Sequence, residues 1–228
     1  MTVQVNTSEN GLWPKAQTSK LNKISYSEPS RSGPPSGVQV QTARLDDQSR
    51  VISTLVLAFS ADPANRWMYP APETFLRYFP DFVRALCGRS FECGTAYLIG
   101  DVQAAALWLP PGVEAEDEAL MGLFHRSLPE QGQRDLFAIF EQMGSYHPHE
   151  PHWYLPFIGV DPAHQRKGYG SALLDHVLRG CDQEWLPAFL EASSLESIPL
   201  YQRHGFEVLG TIQVGTSPPI TPMLRRPR

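Results

Sequence analysis

The segment Ile158-Gly159-Val160-Asp161-Pro162-Ala163-His164-Gln165-Arg166-Lys167-Gly168-Tyr169-Gly170-Ser171 leads from an apolar strand through a proline-marked turn into a helix. Residues 152–160 form an apolar run with aromatic and β-branched members, the pattern of a strand. Residues 168–179 carry Leu173, Leu174, Val177 and Leu178 on one helical face. Gly168 and Gly170 have no Cβ, so a ligand can approach the backbone closely. The first N–H groups of a helix lack intrahelical partners, and the helix dipole favours negative charge there. Arg166 and Lys167 add positive charge to the same turn. Together these features make an anion site suited to phosphate. A nucleotide P-loop pattern is absent, and a dinucleotide fingerprint would need Gly or Ala where Leu173 stands. A turn with no ligand remains the plain alternative for a lone Gly-x-Gly.

Outward from this segment, Ala188–Ala192 reads as a short strand, 198–204 as a short helix closed by Gly205, and 206–214 as another strand. Residues 222–224 suggest a final edge strand. On the N-terminal side, 38–44 alternate as a half-buried strand. Asp46 then caps a helix carrying Val51, Ile52, Leu55, Val56 and Phe59. Breakers at Asp62-Pro63 end it, and 73–86 resume a helical pattern. Residues 96–99 and 102–109 read as a hairpin about a Gly100-Asp101 turn. Helix is expected over 114–144, interrupted near Pro129. Residues 1–37 are rich in Ser, Asn, Thr, Lys and Pro and offer too little apolar surface to offset ordering. They are expected to form a flexible tail, or a docking peptide around Trp13, ahead of one domain over 38–228.

Composition narrows the function classes. The 228 residues are 42% hydrophobic and 19% charged, with net charge −5, which describes a globular protein with no basic footprint for nucleic acid. Apolar runs such as 51–61 are too short to span a bilayer, and no apolar region follows the N-terminus as a secretory signal would require. Cys87, Cys93 and Cys181 are odd in number and lack Cys-x-x-Cys spacing, so they read as reduced thiols in a cytoplasmic protein.

Two signatures in order carry a family resemblance. Gln165-x-x-Gly168-x-Gly170 resembles the coenzyme A pyrophosphate loop of GNAT-type N-acetyltransferases. About thirty residues downstream, Leu200-Tyr201-x-x-x-Gly205-Phe206 resembles that family's second signature. The segments around Asp62-Pro63, Glu150-Pro151-x-Trp153, His164–Ser171 and Pro187–Glu191 are similar to puromycin N-acetyltransferase and its relatives. The resemblance implies an α/β (α+β) fold with a mixed, mostly antiparallel sheet. Its fourth and fifth strands splay apart to admit acetyl-CoA, and helices cover both faces.

It also implies roles. The backbone of Ile158, Gly159 and Val160 would pair with the pantetheine arm, and Gln165, Arg166, Lys167, Gly168, Tyr169, Gly170 and Ser171 would hold the pyrophosphate. Tyr201 is the general-acid candidate, with packing of the short helix as its alternative reading. For the base, the family's strand glutamate is replaced by Tyr154. His152 has the same strand parity, Glu150 and Glu191 are fallbacks, and a bound water would also serve. An asparagine common in the family is replaced within Ser193-Ser194-Leu195-Glu196-Ser197.

The segment His147-Pro148-His149-Glu150-Pro151-His152 invites a metal reading. Its two prolines stiffen an extended chain and scatter the side chains, so no metal is expected. Arg66, Trp67, Met68, Tyr69, Trp108 and the 114–144 helices are candidate walls for a small-molecule amine acceptor. The alternatives are a non-catalytic acyl-CoA-binding domain, a larger thioester, or a protein amine. No nucleic acid or membrane partner is expected, and monomer and dimer both stay open.

Overall fold

The computed structural model describes residues 38–228. The expected tail over 1–37 lies outside the described residues. Fifteen elements follow in chain order: β1 (Val40–Thr42), α1 (Gln48–Ala58), α2 (Pro63–Met68), α3 (Pro72–Cys87), α4 (Arg89–Glu92), β2 (Ala96–Ile99), β3 (Ala104–Leu109), α5 (Asp117–Ser127), α6 (Glu130–Tyr146), β4 (Trp153–Val160), α7 (Tyr169–Gln183), β5 (Ala188–Ala192), α8 (Ile198–Arg203), β6 (Glu207–Val208) and β7 (Thr221–Arg225). The strands form one sheet in the order β1-β2-β3-β4-β5-β7-β6. Only β4 and β5 pair in parallel; the other neighbours are antiparallel.

Central β3 is buried along its whole length, so its residues alternate between two cores rather than between core and water. Ala105, Leu107 and Leu109 face a core built with α1 to α6, while Ala104, Ala106 and Trp108 face one built with α7 and α8. On the first side, Phe75, Phe79 and Phe82 recur at helical spacing along α3. Phe79 and Phe82 meet Phe157 of β4 edge-on at 5.7 and 5.8 Å, and Phe59 does so at 5.4 Å. On the second side α7 buries Leu173, Leu174, Val177 and Leu178, the face its periodicity predicts.

Several expectations need correction. The first strand is confined to Val40–Thr42, and Asp46 caps nothing. Instead, the neighbouring Asp47 carboxylate accepts the backbone N–H of Arg44 at 3.0 Å. The hairpin turn spans 100–103, because Val102 adopts φ 60° and its carbonyl accepts a 2.6 Å bond from the Thr54 hydroxyl on α1. Of 206–214 only Glu207–Val208 pairs as a strand. The chain leaves the sheet at Gly210, whose missing side chain makes room for the Tyr146 ring. The 222–224 segment is no edge: β7 lies between β5 and β6. Its Arg225 is buried and donates two bonds, of 2.8 and 2.7 Å, to Asp182 at the end of α7.

Candidate active site

The site begins where the sheet parts. β4 and β5 pair only at Trp153↔Ala188 and Tyr154↔Phe189, while β5 continues alongside β7 as far as Ala192↔Thr221. From Leu155 onward the β5-facing edge of β4 has no strand partner among the described residues. A bulge re-aims the strand: Leu107↔Phe157 and Leu109↔Tyr154 leave one extra residue on β4 between its two paired positions. The predicted splay is therefore present.

The open edge runs into the glycine turn. The Asp161 carboxylate accepts the N–H of Ala163 at 2.9 Å and starts a short 3-10 turn. Arg166 (φ 61°) and Gly168 (φ 82°) then adopt left-handed conformations, a winding that can gather successive N–H groups into an anion-binding concavity. The first α7 bond runs from Ala172 N–H to the Gly168 carbonyl at 3.0 Å, so the N–H groups of Tyr169, Gly170 and Ser171 precede it. A Cβ at Gly168 would meet nothing within 4 Å, which leaves the approach to this backbone open. A Cβ at Gly170 would meet Leu200 at 3.3 Å, a packing role. Arg166 and Lys167 are exposed and form no ion pair among the described residues. The Gln165 amide donates to the Val160 carbonyl at 3.5 Å. Gly159 has its own reason: a Cβ there would lie 2.7 Å from that of Ala58, so its absence lets α1 rest on the strand.

Tyr201 lies on α8, buried, with the Phe206 ring edge-on at 6.0 Å. Burial pushes its phenol up to about 12, with the nearby Asp62 charge adding to the rise and a Ser197 hydrogen bond opposing it. The phenol is thus a proton donor throughout the neutral range. Asp62 caps α2 through the Asn65 N–H at 3.0 Å and accepts a 2.5 Å bond from the Ser193 hydroxyl. It thereby ties the start of α2 to the end of β5.

On the other side of the opening lies a cavity of about 110 Å³. Trp67, Met68, Phe140 and Met143 contribute apolar walls, and Tyr154, Pro156 and Glu191 line the side toward the sheet. The Glu191 side chain is only 4% exposed. Its Oε1 lies 3.1 Å from Nε2 of His147, and its carboxylate also bonds the Tyr154 phenol. Burial, then the Glu191 charge and that bond, raise the Tyr154 phenol well above its usual range.

His152 is not among the lining residues. Its Nδ1 lies 2.9 Å from the Glu150 carbonyl, its ring packs 5.5 Å from that of His147, and burial lowers its pKa to about 4. Glu150 pairs instead with Arg226 at the surface. Among the expected acceptor walls, Trp108 faces the opposite core beside Trp153, 6.5 Å away. Arg66 lies over the Phe75 ring at 5.4 Å, and Tyr69 bonds Ser127 at 3.0 Å, both outside the cavity. Sequence reading named Glu191 and Tyr154 singly but missed that His147 joins them, because His147 and Glu191 stand 44 positions apart. Among the described residues no group of three His, Cys, Asp or Glu side chains gathers as a metal site.

Comparison with known proteins fits this geometry. Residues 105–206 match the acetyltransferase (GNAT) family. That stretch is similar to a GNAT acetyltransferase domain. Over 199 residues the chain is 27% identical to an uncharacterized N-acetyltransferase of Schizosaccharomyces pombe, covering 79% of this chain and 80% of that one. Two solved structures share the fold. One is a histone acetyltransferase HPA2 and related acetyltransferase from Corynebacterium glutamicum (TM-score 0.61, 24% identity, 84% of this chain and 97% of that one). The other is a Drosophila melanogaster polyamine N-acetyltransferase (TM-score 0.59, 14% identity, 83% of this chain and all of that one, 100%). The GNAT match takes in the glycine turn, β5 and Tyr201, whereas α1, α2 and β7 lie outside it. No described helix is long and apolar enough to cross a membrane.

Proposed function

We propose that the chain is an acetyl-CoA-dependent N-acetyltransferase that moves the acetyl group to the primary amine of a small molecule. The observation that carries this is the parted sheet: one open strand edge connects an exposed anion-binding turn to a cavity holding a buried carboxylate. The N–H groups of residues 165–171, with Arg166 and Lys167, bind the diphosphate of the thioester substrate. The pantetheine arm lies along Ile158, Gly159 and Val160 as an added strand.

Transfer then proceeds in a ternary complex. The ammonium gives one proton to Glu191, which also contacts His147. The neutral amine attacks the thioester carbonyl, and a backbone N–H beside the open edge stabilises the oxyanion. The C–N bond forms and the C–S bond breaks. The Tyr201 hydroxyl gives its proton to sulfur and is reprotonated from the nitrogen of the adduct. With its phenol near 12, Tyr201 holds that proton until negative charge develops on the thiolate. Glu191 takes the base role ahead of His152 because only Glu191 lines the cavity.

The test is thiol release from acetyl-CoA across a panel of primary amines. Turnover well above hydrolysis with at least one small amine is expected; background rates throughout would contradict the reading.

A further inference from the structure

We infer that Glu191 is the anionic end of the acceptor site, and that the acceptor is a monoamine: one cationic nitrogen carried on an apolar body. This rests on the acetyltransferase reading above and adds the chemistry of its second substrate.

The cavity's polar groups decide the matter. Asn65 donates to Asp62 at 2.8 Å, Ser193 is tied to the same Asp62, and the Ser217 hydroxyl accepts the Val214 N–H at 2.9 Å. These three lining residues are engaged with their neighbours, so Glu191 alone supplies charge to the cavity. A carboxylate has about four lone-pair directions. His147 and Tyr154 occupy two, leaving capacity for an incoming N–H. Among the described residues Glu191 meets the His147 imidazole at 3.1 Å and no Lys or Arg, so no permanent cation faces it although its side chain is nearly all buried. A buried carboxylate is costly without a cationic partner, and an ammonium ligand supplies that partner.

The rest of the lining excludes a second charge. Trp67, Ile139, Phe140 and Met143 also line the cavity, and none of them carries a charge. The far cation of a diamine would be desolvated among them with nothing to meet it. An aryl or branched alkyl group gains there instead. This cavity is somewhat smaller than the roughly 150 Å³ that holds benzene in an engineered protein core, so one ring at most fits within it.

The experiment is calorimetric titration of the full chain saturated with coenzyme A, which has no acetyl group to transfer. The probes are 2-phenylethylamine, 2-phenylethanol and 1,4-diaminobutane. The amine should bind at least tenfold more tightly than the alcohol and at least tenfold more tightly than the diamine. In Glu191→Gln the amine–alcohol ratio should fall to within about twofold while coenzyme A affinity stays unchanged. Equal binding of amine and alcohol, tighter binding of the diamine, or a ratio that survives Glu191→Gln would overturn the inference. If Glu191→Gln does not fold, the two wild-type comparisons still decide. Failure of coenzyme A itself to bind would instead remove the acetyltransferase reading on which this inference stands.

Discussion

The two halves of the cleft are built by different means. The half proposed for the cofactor is made of backbone: consecutive N–H groups around Gly168 and the unpaired edge of β4. The half proposed for the acceptor is made of side chains from α2, α6, β4 and β5, spread over more than a hundred positions of the chain. Backbone recognition needs a short run of glycines and a helix start, which a linear motif can encode. A side-chain cavity exists only after folding has gathered distant residues, and it can change its lining without disturbing the turn. That contrast separates what is common to a GNAT domain from what sets this chain's selectivity.

The largest effect is expected at Tyr201, proposed to serve the chemistry alone. Tyr201→Phe should lower kcat by about 10²-fold or more while leaving coenzyme A affinity and amine KM nearly unchanged. Because the phenol stands near 12, it stays protonated up to that range, so any basic limb of kcat below pH 10 should persist in the variant. A kcat within threefold of wild type would assign Tyr201 to packing.

Next in size is Gly159→Ala, placed where α1 rests on β4. Its methyl would collide with Ala58 and Leu55, and overpacking of this kind costs about 1–3 kcal/mol. Chemical denaturation should show that loss. Because Phe59 directly follows α1 and the chain leads on into α2, amine KM should rise together with the coenzyme A Kd. A rise in one alone would show the halves to be mechanically independent.

The smallest effect on catalysis is outside the cavity. The His152 pKa of about 4 lies below its ordinary 6.5, so the unfolded chain binds this proton first as the solution is acidified. No contribution arises above pH 6.5; stability falls as pH drops from 6.5 toward 4 by about 3 kcal/mol. His152→Gln should flatten that part of the profile in urea titrations without altering amine KM at pH 7.5. A changed KM would return His152 to the acceptor site.

Particular residues show where sequence reasoning succeeded. The α7 face of Leu173, Leu174, Val177 and Leu178 follows from local pattern, and the splay of β4 from β5 follows from family resemblance. The failures share a cause. Val102 reads as a strand residue but is drawn into the turn by Thr54, and the Gly210 region is pulled off the sheet by Tyr146. Trp108 and Trp67 look alike as aromatics, yet strand parity sends one to the far core and a helix turns the other into the cavity. The Glu191–His147 contact spans 44 positions, a distance no motif bridges.

The most direct test is a calorimetric comparison of coenzyme A with pantetheine, which keeps the thiol arm and lacks the diphosphate. If the α7 turn grips that diphosphate, coenzyme A should bind at least 10²-fold more tightly, about 2.7 kcal/mol. Equal affinities, or no heat from coenzyme A, would contradict the account.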